Sequence, residues 1–362
     1  MPKIGYLILE NGKIFEGEFF GAEKETFGEL VFFTGMTGYL ETLTGSGACG
    51  QIVLQTFPLT GNYGVIPEDF ESDSVRAGAY IVKSWCEEPS NFRCEGDLDT
   101  FFKSENAVGL CGIDTREVTK ILRENGSLNC KISYSKHNID FDAIKNHRMQ
   151  NAVESVSCKE IKEFKSGQGS LKAAVIDLGL DKSIKTKLLI EGCDVYVVPY
   201  NTMAAQLKNI NPDGIFISSG PGDPAENPEV INNLKEIIKL NLPVFGIGLG
   251  HQLLALAHGF VTRKLKYGHR GANQPVKDLT NGRLYITSQN HGYTVEPDSI
   301  NTDIARILFQ NVNDKSCEGI EYKDKPVFSA EFIPECRNRS DKNTGFLFDR
   351  FINSMKNMKK NK

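Results

Sequence analysis

The chain has 362 residues, enough for about two domains that bury their own cores without disulfides or metals. Its 46 acidic and 42 basic side chains leave a net charge of −4, which excludes the dense basic face that non-specific nucleic-acid binding needs. Hydrophobic residues at 40% and charged residues at 24% describe an ordinary folded chain and not a disordered one.

The start, Met1-Pro2-Lys3-Ile4, leads directly into a strand pattern, so no secretion signal is expected. The first half is rich in short strand-like runs. Tyr6-Leu7-Ile8-Leu9, Leu30-Val31-Phe32-Phe33 and Gln51-Ile52-Val53-Leu54 are bounded by turns containing glycine. Asn11-Gly12 between two such runs predicts a hairpin. A helix is predicted after Ile113, with Asp114 or Thr115 as its cap, Val118, Ile121 and Leu122 as its apolar face and Gly126 as its stop. Residues 1–150 are expected to form the first domain and the polar, turn-rich residues 151–170 a linker.

From residue 171 the pattern changes. Ala173-Ala174-Val175-Ile176, Val195-Tyr196-Val197-Val198, Gly214-Ile215-Phe216-Ile217 and Val244-Phe245-Gly246-Ile247 are apolar runs separated by helical stretches of about a dozen residues. This alternation predicts an α/β domain over 171–362 with a mainly parallel sheet covered on both faces, and a ligand site beyond the carboxyl ends of the strands. The lysine-rich residues 355–362 read as a solvated helix end. No apolar run approaches the roughly 18 residues of a membrane span. Nine scattered cysteines, odd in number and without a CxxC pair, read as reduced thiols, and HExxH is absent, so a cytoplasmic protein without a metal is expected.

The sharpest local feature is Gly246-Ile247-Gly248-Leu249-Gly250-His251-Gln252-Leu253-Leu254. Its frame is that of a nucleophile elbow, a strand, a strained tight turn and a helix, with the nucleophile expected at the centre of Gly-x-nucleophile-x-Gly. Here the centre is Gly248, which has nothing to attack with; by spacing alone the segment also suits a plain strand–helix turn. Gly246-x-Gly248-x-Gly250 is not the GxGxxG of a dinucleotide site.

The flanking residues carry a resemblance. The segment from Gly246 to Ala257 resembles the nucleophile segment of class I glutamine amidotransferases, and the chain over residues 6–352 is similar to the small subunit of carbamoyl phosphate synthetases. The similarity includes Thr37-Gly38-Tyr39, Gly61-Asn62-Tyr63-Gly64 and Gly112-Ile113-Asp114-Thr115-Arg116 in the first half. It continues in Gly220-Pro221-Gly222-Asp223-Pro224, Tyr267-Gly268-His269 and Gln289-Asn290-His291-Gly292. It implies a β-rich N-terminal domain, then an amidotransferase domain that hydrolyses glutamine. Ammonia then passes to a large subunit, which uses ATP and bicarbonate to make carbamoyl phosphate for arginine and pyrimidine synthesis. The small subunit itself needs no cofactor. The implied chemistry needs a cysteine thiolate, a histidine to manage protons and a glutamate to orient that histidine.

This sequence departs from the pattern where it matters. The nucleophile position holds Gly248, the base position Ile333, and only the orienting carboxylate, Glu335, remains. A glutamine-contacting serine of the family falls at Gly47, and Arg337-Asn338-Arg339-Ser340 replaces the usual Pro-Gly-Pro stretch. By resemblance, the N–H groups of Leu249 and Gly220 form the oxyanion hole, Gly220 and Gly222 approach the ligand backbone-first, and Gln252, Asn290, Gly292 and Tyr293 contact glutamine. Each also has a structural reason to be there, so pocket and scaffold both stay open. Cys49 and Cys336 are substitute nucleophiles to consider and His291 a substitute base, each more simply read as packing; His251, which begins the elbow helix, is expected to point inward. Three functions follow: a small subunit with a silent glutaminase beside an ammonia-using large subunit, a glutaminase with an unrecognised nucleophile, or a paralogue that binds glutamine or a protein outside the synthetase.

Overall fold

The computed structural model describes residues 3–169, 171–323, 325–336 and 344–360. Contacts group the chain into two units, Met1–Ala152 with Lys266–Gly271, and Val153–Leu265 with Ala272–Lys362.

The first unit is β-rich. Strand β1 (Ile4–Leu9) turns at Asn11-Gly12 into β2 (Ile14–Gly21), with Gly12 at a φ of 89° and Ile8 opposite Ile14, so the hairpin forms where the turn residues place it. There follow β3 (Thr26–Phe33), α1 (Tyr39–Thr44), β4 (Gln51–Gln55), β5 (Leu59–Thr60), β6 (Ala79–Ile81), β7 (Ser84–Trp85), α2 (Leu98–Ser104), β8 (Val108–Cys111), α3 (Thr115–Asn125), β9 (Leu128–Ser133) and α4 (Phe141–Lys145). Seven of the strands close a barrel in the order β1-β2-β8-β6-β4-β3-β9, and β5 pairs with β7 in a separate two-stranded sheet. Leu7, Leu9, Leu30, Ile52, Leu54, Ile81, Leu110 and Ile132 bury one continuous apolar cluster. Helix α3 packs Val118, Ile121 and Leu122 onto it; Asp114 is the cap, its Oδ1 accepting from the Glu117 N–H at 3.0 Å, and Gly126 at a φ of 94° ends it.

The division between the units falls inside α5 (Ala152–Val156). The stretch expected to be a linker also carries β10 (Lys162–Phe164), an edge strand antiparallel to β12 (Cys193–Pro199). Between them in the chain lie β11 (Leu171–Asp177) and α6 (Lys182–Ile190); beyond come α7 (Ala204–Ile210), β13 (Gly214–Ile217), α8 (Pro228–Ile237), β14 (Val244–Ile247) and α9 (Leu249–Ala257). The remainder is β15 (Thr262–Asp278), β16 (Leu284–Val295), β17 (Ala305–Asn311), β18 (Cys317–Tyr322), β19 (Val327–Ala330) and α10 (Phe346–Lys360).

Strands β12, β11, β13, β14 and β19 run parallel in that order, as the strand–helix alternation requires, and β18 continues the sheet antiparallel to β19. Alternation along β11 divides the core: Ala174 and Ile176 face Val230 and Leu234 of α8 and Leu253 and Leu254 of α9, whereas Ala173 and Val175 share a cluster with Ile184 and Leu188 of α6 and Phe348 and Phe351 of α10. Phe216 and Phe245 meet edge-on at 5.2 Å in that second cluster. Met355 is fully buried, so the solvated end of α10 begins only after it. No helix among the described residues is long and apolar enough to cross a membrane.

Candidate active site at the elbow

The carboxyl ends of β13, β14 and β19 deliver the three segments of the site: Ser219 to Gly222, Gly248, and Glu331 to Glu335. Gly248 adopts φ 51° and ψ −118°, so the strained elbow backbone persists at a residue that pays little for it. Its N–H donates to the Ala330 carbonyl at 3.0 Å, and its own carbonyl accepts from the Gln252 N–H at 3.2 Å. A Cβ built there would lie 3.2 Å from the Ser219 Cβ and 3.8 Å from the Glu331 carbonyl oxygen. The flanking glycines are stricter. A Cβ at Gly250 would sit 2.6 Å from the Ile217 carbonyl oxygen, and one at Gly220 would sit 2.3 Å from that of Leu178. Close packing of the elbow helix on β13 therefore explains Gly250 without any catalytic role.

Ile333 is half-buried against the cluster that contains Phe328 and Phe332, and its N–H donates to the Ser288 carbonyl at 2.9 Å in a bridge to β16. An aliphatic side chain there offers no proton acceptor. The Glu335 N–H donates to Thr344 Oγ1 at 3.0 Å. Cys336 donates to the Pro334 carbonyl at 3.0 Å. The stretch Arg337-Asn338-Arg339-Ser340 lies outside the described residues. Gly47 lies in the 3-10 turn Ser46–Ala48 of the first unit, followed by half-buried Cys49.

A polar network joins Gln252, Tyr293 and Glu331. Gln252, buried on α9, donates through Nε2 both to the Tyr293 carbonyl at 3.0 Å and to Glu331 Oε1 at 2.9 Å. The Asn290 Oδ1 is buried and has no hydrogen-bond donor among the described residues. The N–H groups of Gly220 and Leu249 enter no hydrogen bond among the described residues. Gly222 holds a φ of 92°, which favours glycine. His251 points inward as expected: it is fully buried, its Nδ1 is 2.8 Å from Ser329 Oγ, and burial pushes its pKa down to about 3, so the ring is neutral. His291 is occupied too, with Nδ1 2.7 Å from the Tyr293 carbonyl and Nε2 3.0 Å from Gln289 Oε1.

Sequence reasoning missed Glu331, the carboxyl at the centre of this network, although its signal is plain: a single charge in the apolar run Val327-Phe328-Ser329-Ala330-Glu331-Phe332. It also missed Ser219, whose backbone borders the elbow; a serine among glycines and prolines gives no such signal.

Two family models match the chain in order: the carbamoyl-phosphate synthase small chain, CPSase domain, over residues 7–132, and the class-I glutamine amidotransferase over residues 174–354. The chain belongs to the carbamoyl phosphate synthase small-chain family. The carbamoyl phosphate synthase small chain of Clostridium perfringens is 46% identical over 349 residues, covering 96% of this chain and 98% of that one. That of Caldanaerobacter subterraneus is also 46% identical, over 350 residues that cover 96% of this chain and 95% of that one. A solved glutamine amidotransferase from Thermotoga maritima superposes with a TM-score of 0.38 at 17% identity, covering 46% of this chain and 76% of that one. The β-rich first unit and the parallel second unit are thus the two parts of a small chain, the second an amidotransferase domain.

Proposed function

We propose that this chain serves as the small subunit of a carbamoyl phosphate synthase in which its own glutaminase is silent, so that the assembled enzyme draws on free ammonia. The observation that carries this reading is Gly248 at the apex of the elbow, a nucleophile position without a side chain. Ile333 in place of a proton acceptor supports it. The reaction assigned to the small chain starts with attack on the side-chain amide of glutamine and needs both groups. In a triad hydrolase, removing nucleophile or base alone costs about 10⁶ in rate.

The partner in this reading is the large subunit, which holds ATP and bicarbonate and carries out the synthesis; arginine and pyrimidine formation in the cytoplasm are the pathways it serves. Glutamine is bound but not cleaved. Asn290 Oδ1 without a donor and the unengaged N–H groups of Gly220 and Leu249 support that second part.

The test is reconstitution with the cognate large subunit and measurement of carbamoyl phosphate from glutamine and from ammonia. Synthesis from ammonia alone is expected, with ammonia release from glutamine at background. Glutamine turnover within about a hundredfold of a small chain that has the full triad would refute the reading. Separate sedimentation of the two proteins at micromolar concentration would move the chain to a role outside the synthase.

A further inference from the structure

Behind the elbow lie two buried carboxyls whose surroundings differ. Glu318 on β18 accepts from the side-chain amides of Gln289, at 2.8 Å, and Asn311, at 3.2 Å. Glu331, just past β19 and only 2% exposed, accepts from Gln252 through Oε1, and its Oε2 has no hydrogen-bond partner. That Oε2 faces another orphan, the Nε2 of His251, at 3.7 Å. On the other side, His291 of β16 brings its Nδ1 to 3.8 Å from Glu331 Oε1. Glu318 is the neighbouring carboxyl, on the adjacent strand β18.

Two neighbouring buried carboxyls resist ionising together, and the one with more hydrogen-bond donors takes the charge. Glu318 has the donors. His291 is held by contacts of its own, with Nδ1 2.7 Å from the Tyr293 carbonyl and Nε2 3.0 Å from Gln289 Oε1. Gln289 links the two, since its Nε2 donates to Glu318 while its Oε1 accepts from His291.

We propose that Glu331 is a positioning residue held as the neutral acid, whose carbonyl oxygen orients the Gln252 amide and so fastens the elbow helix α9 to the wall strand β16. The hydroxyl of the acid points at His251 Nε2, which as the bare nitrogen of a neutral ring is its natural acceptor. Burial and the nearby Glu318 both favour the acid form of Glu331. Ionisation would leave a charge with one neutral donor in a dry site, and the fastening would loosen. The inference deepens the reading of the elbow as a glutamine pocket, since Gln252 and Tyr293 border it, but does not depend on glutamine being bound.

The experiment compares the full chain with its near-isosteric variant Glu331→Gln between pH 5 and 9. A group that binds its proton more tightly in the folded state contributes stability at low pH and loses it as pH rises through the folded value. The variant is therefore expected to melt higher than the wild type by a gap that widens with pH, by about 2–4 °C over the range. Hydrogen exchange across α9 should match in the two proteins at pH 5.5 and be several-fold faster in the wild type at pH 8.5. An infrared band of a protonated carboxyl should be present in the wild type and missing from the variant. If Glu331 were instead a carboxylate paired with His291, the variant would melt lower and the band would be absent from both; that result overturns the assignment. Parallel melting curves with equal exchange at both pH values overturn the positioning role. Calorimetry with glutamine separates the two readings: no binding at any pH removes the glutamine pocket and leaves the melting result to judge Glu331.

Discussion

Repair of the elbow is the most searching perturbation. Gly248→Cys places a side chain at φ 51° and ψ −118°, which costs about 1–3 kcal/mol in backbone strain. Its Cβ meets the Ser219 Cβ at 3.2 Å, a contact that a small shift relieves. Ile333→His removes a half-buried aliphatic group from the cluster around Phe332, at a cost of about 1–2 kcal/mol. The pair costs about 2–5 kcal/mol together, within the usual 5–15 kcal/mol of a folded domain, so the double variant should fold with a lowered Tm. It would put a thiol just past β14 and an imidazole just past β19, two residues before Glu335, which are the three groups the resemblance implies for a triad. A lone cysteine has a pKa near 8.5 and is only a few per cent thiolate at neutral pH, and a positioned base contributes about 10²–10⁴ in rate. Gly248→Cys alone should therefore release ammonia at no more than about one hundredth of the double variant's rate, and Ile333→His alone should be at background. The assay is ammonia release from glutamine, with melting curves run on the same samples. Equal activity of Gly248→Cys and the double variant would refute Ile333 as the missing base. A folded, inert double variant would place further loss in the pocket itself.

Other outcomes follow from single contacts. If position 47 has the glutamine-contacting role that the resemblance implies, adding Gly47→Ser to the double variant should lower KM more than it raises kcat. Gly250→Ala should cost more than about 2 kcal/mol, seen as a lower denaturant midpoint, since its Cβ would lie 2.6 Å from the Ile217 carbonyl oxygen. Asp114→Ala should cost about 0.5–2 kcal/mol by loss of the α3 cap, with the same measurement. His251 is neutral when folded, with a pKa near 3 against an ordinary 6.5, so its contribution is complete above pH 6.5 and is lost as pH falls toward 3. The variant His251→Asn should flatten that acid limb of the stability curve, whose slope from this group is at most about 1.4 kcal/mol per pH unit.

The architecture was legible where local chemistry and tertiary packing agree. The Asn11-Gly12 hairpin, a cap at Asp114 or Thr115 and the apolar run of β11 each follow from a short stretch of chain, and the structure has the hairpin, the cap at Asp114 and the buried strand in place. The closure of the first unit into a barrel was not legible, because the β9–β1 pairing joins residues more than a hundred positions apart and depends on register. Gly248 stands out only against a family pattern, as a nucleophile position without a side chain; alone it is a glycine in a turn. Glu331 was written in the sequence as a charge inside an apolar run, but its partners Gln252, His251 and His291 come from α9 and β16, and no spacing rule links them. Polar networks of this kind depend on which strands become neighbours, and a reading by periodicity sorts residues only into inside and outside.

The strand order bears on how this protein behaves in a crowded solution. In the ring of seven strands closed by the β9–β1 pairing, every strand has a neighbour on both sides, so none of them is an edge strand. In the second unit, β17 turns back to pair with β18, so one end of the large sheet is tied off as well. What stays open at the other end is β10, three residues long with Lys162 and Glu163 exposed, a short charged margin of the kind that discourages edge-to-edge stacking. A barrel built this way resists forming ribbons with its own copies, and a partner would have to recognise it through side chains and loops, because none of its seven strands is an edge to extend.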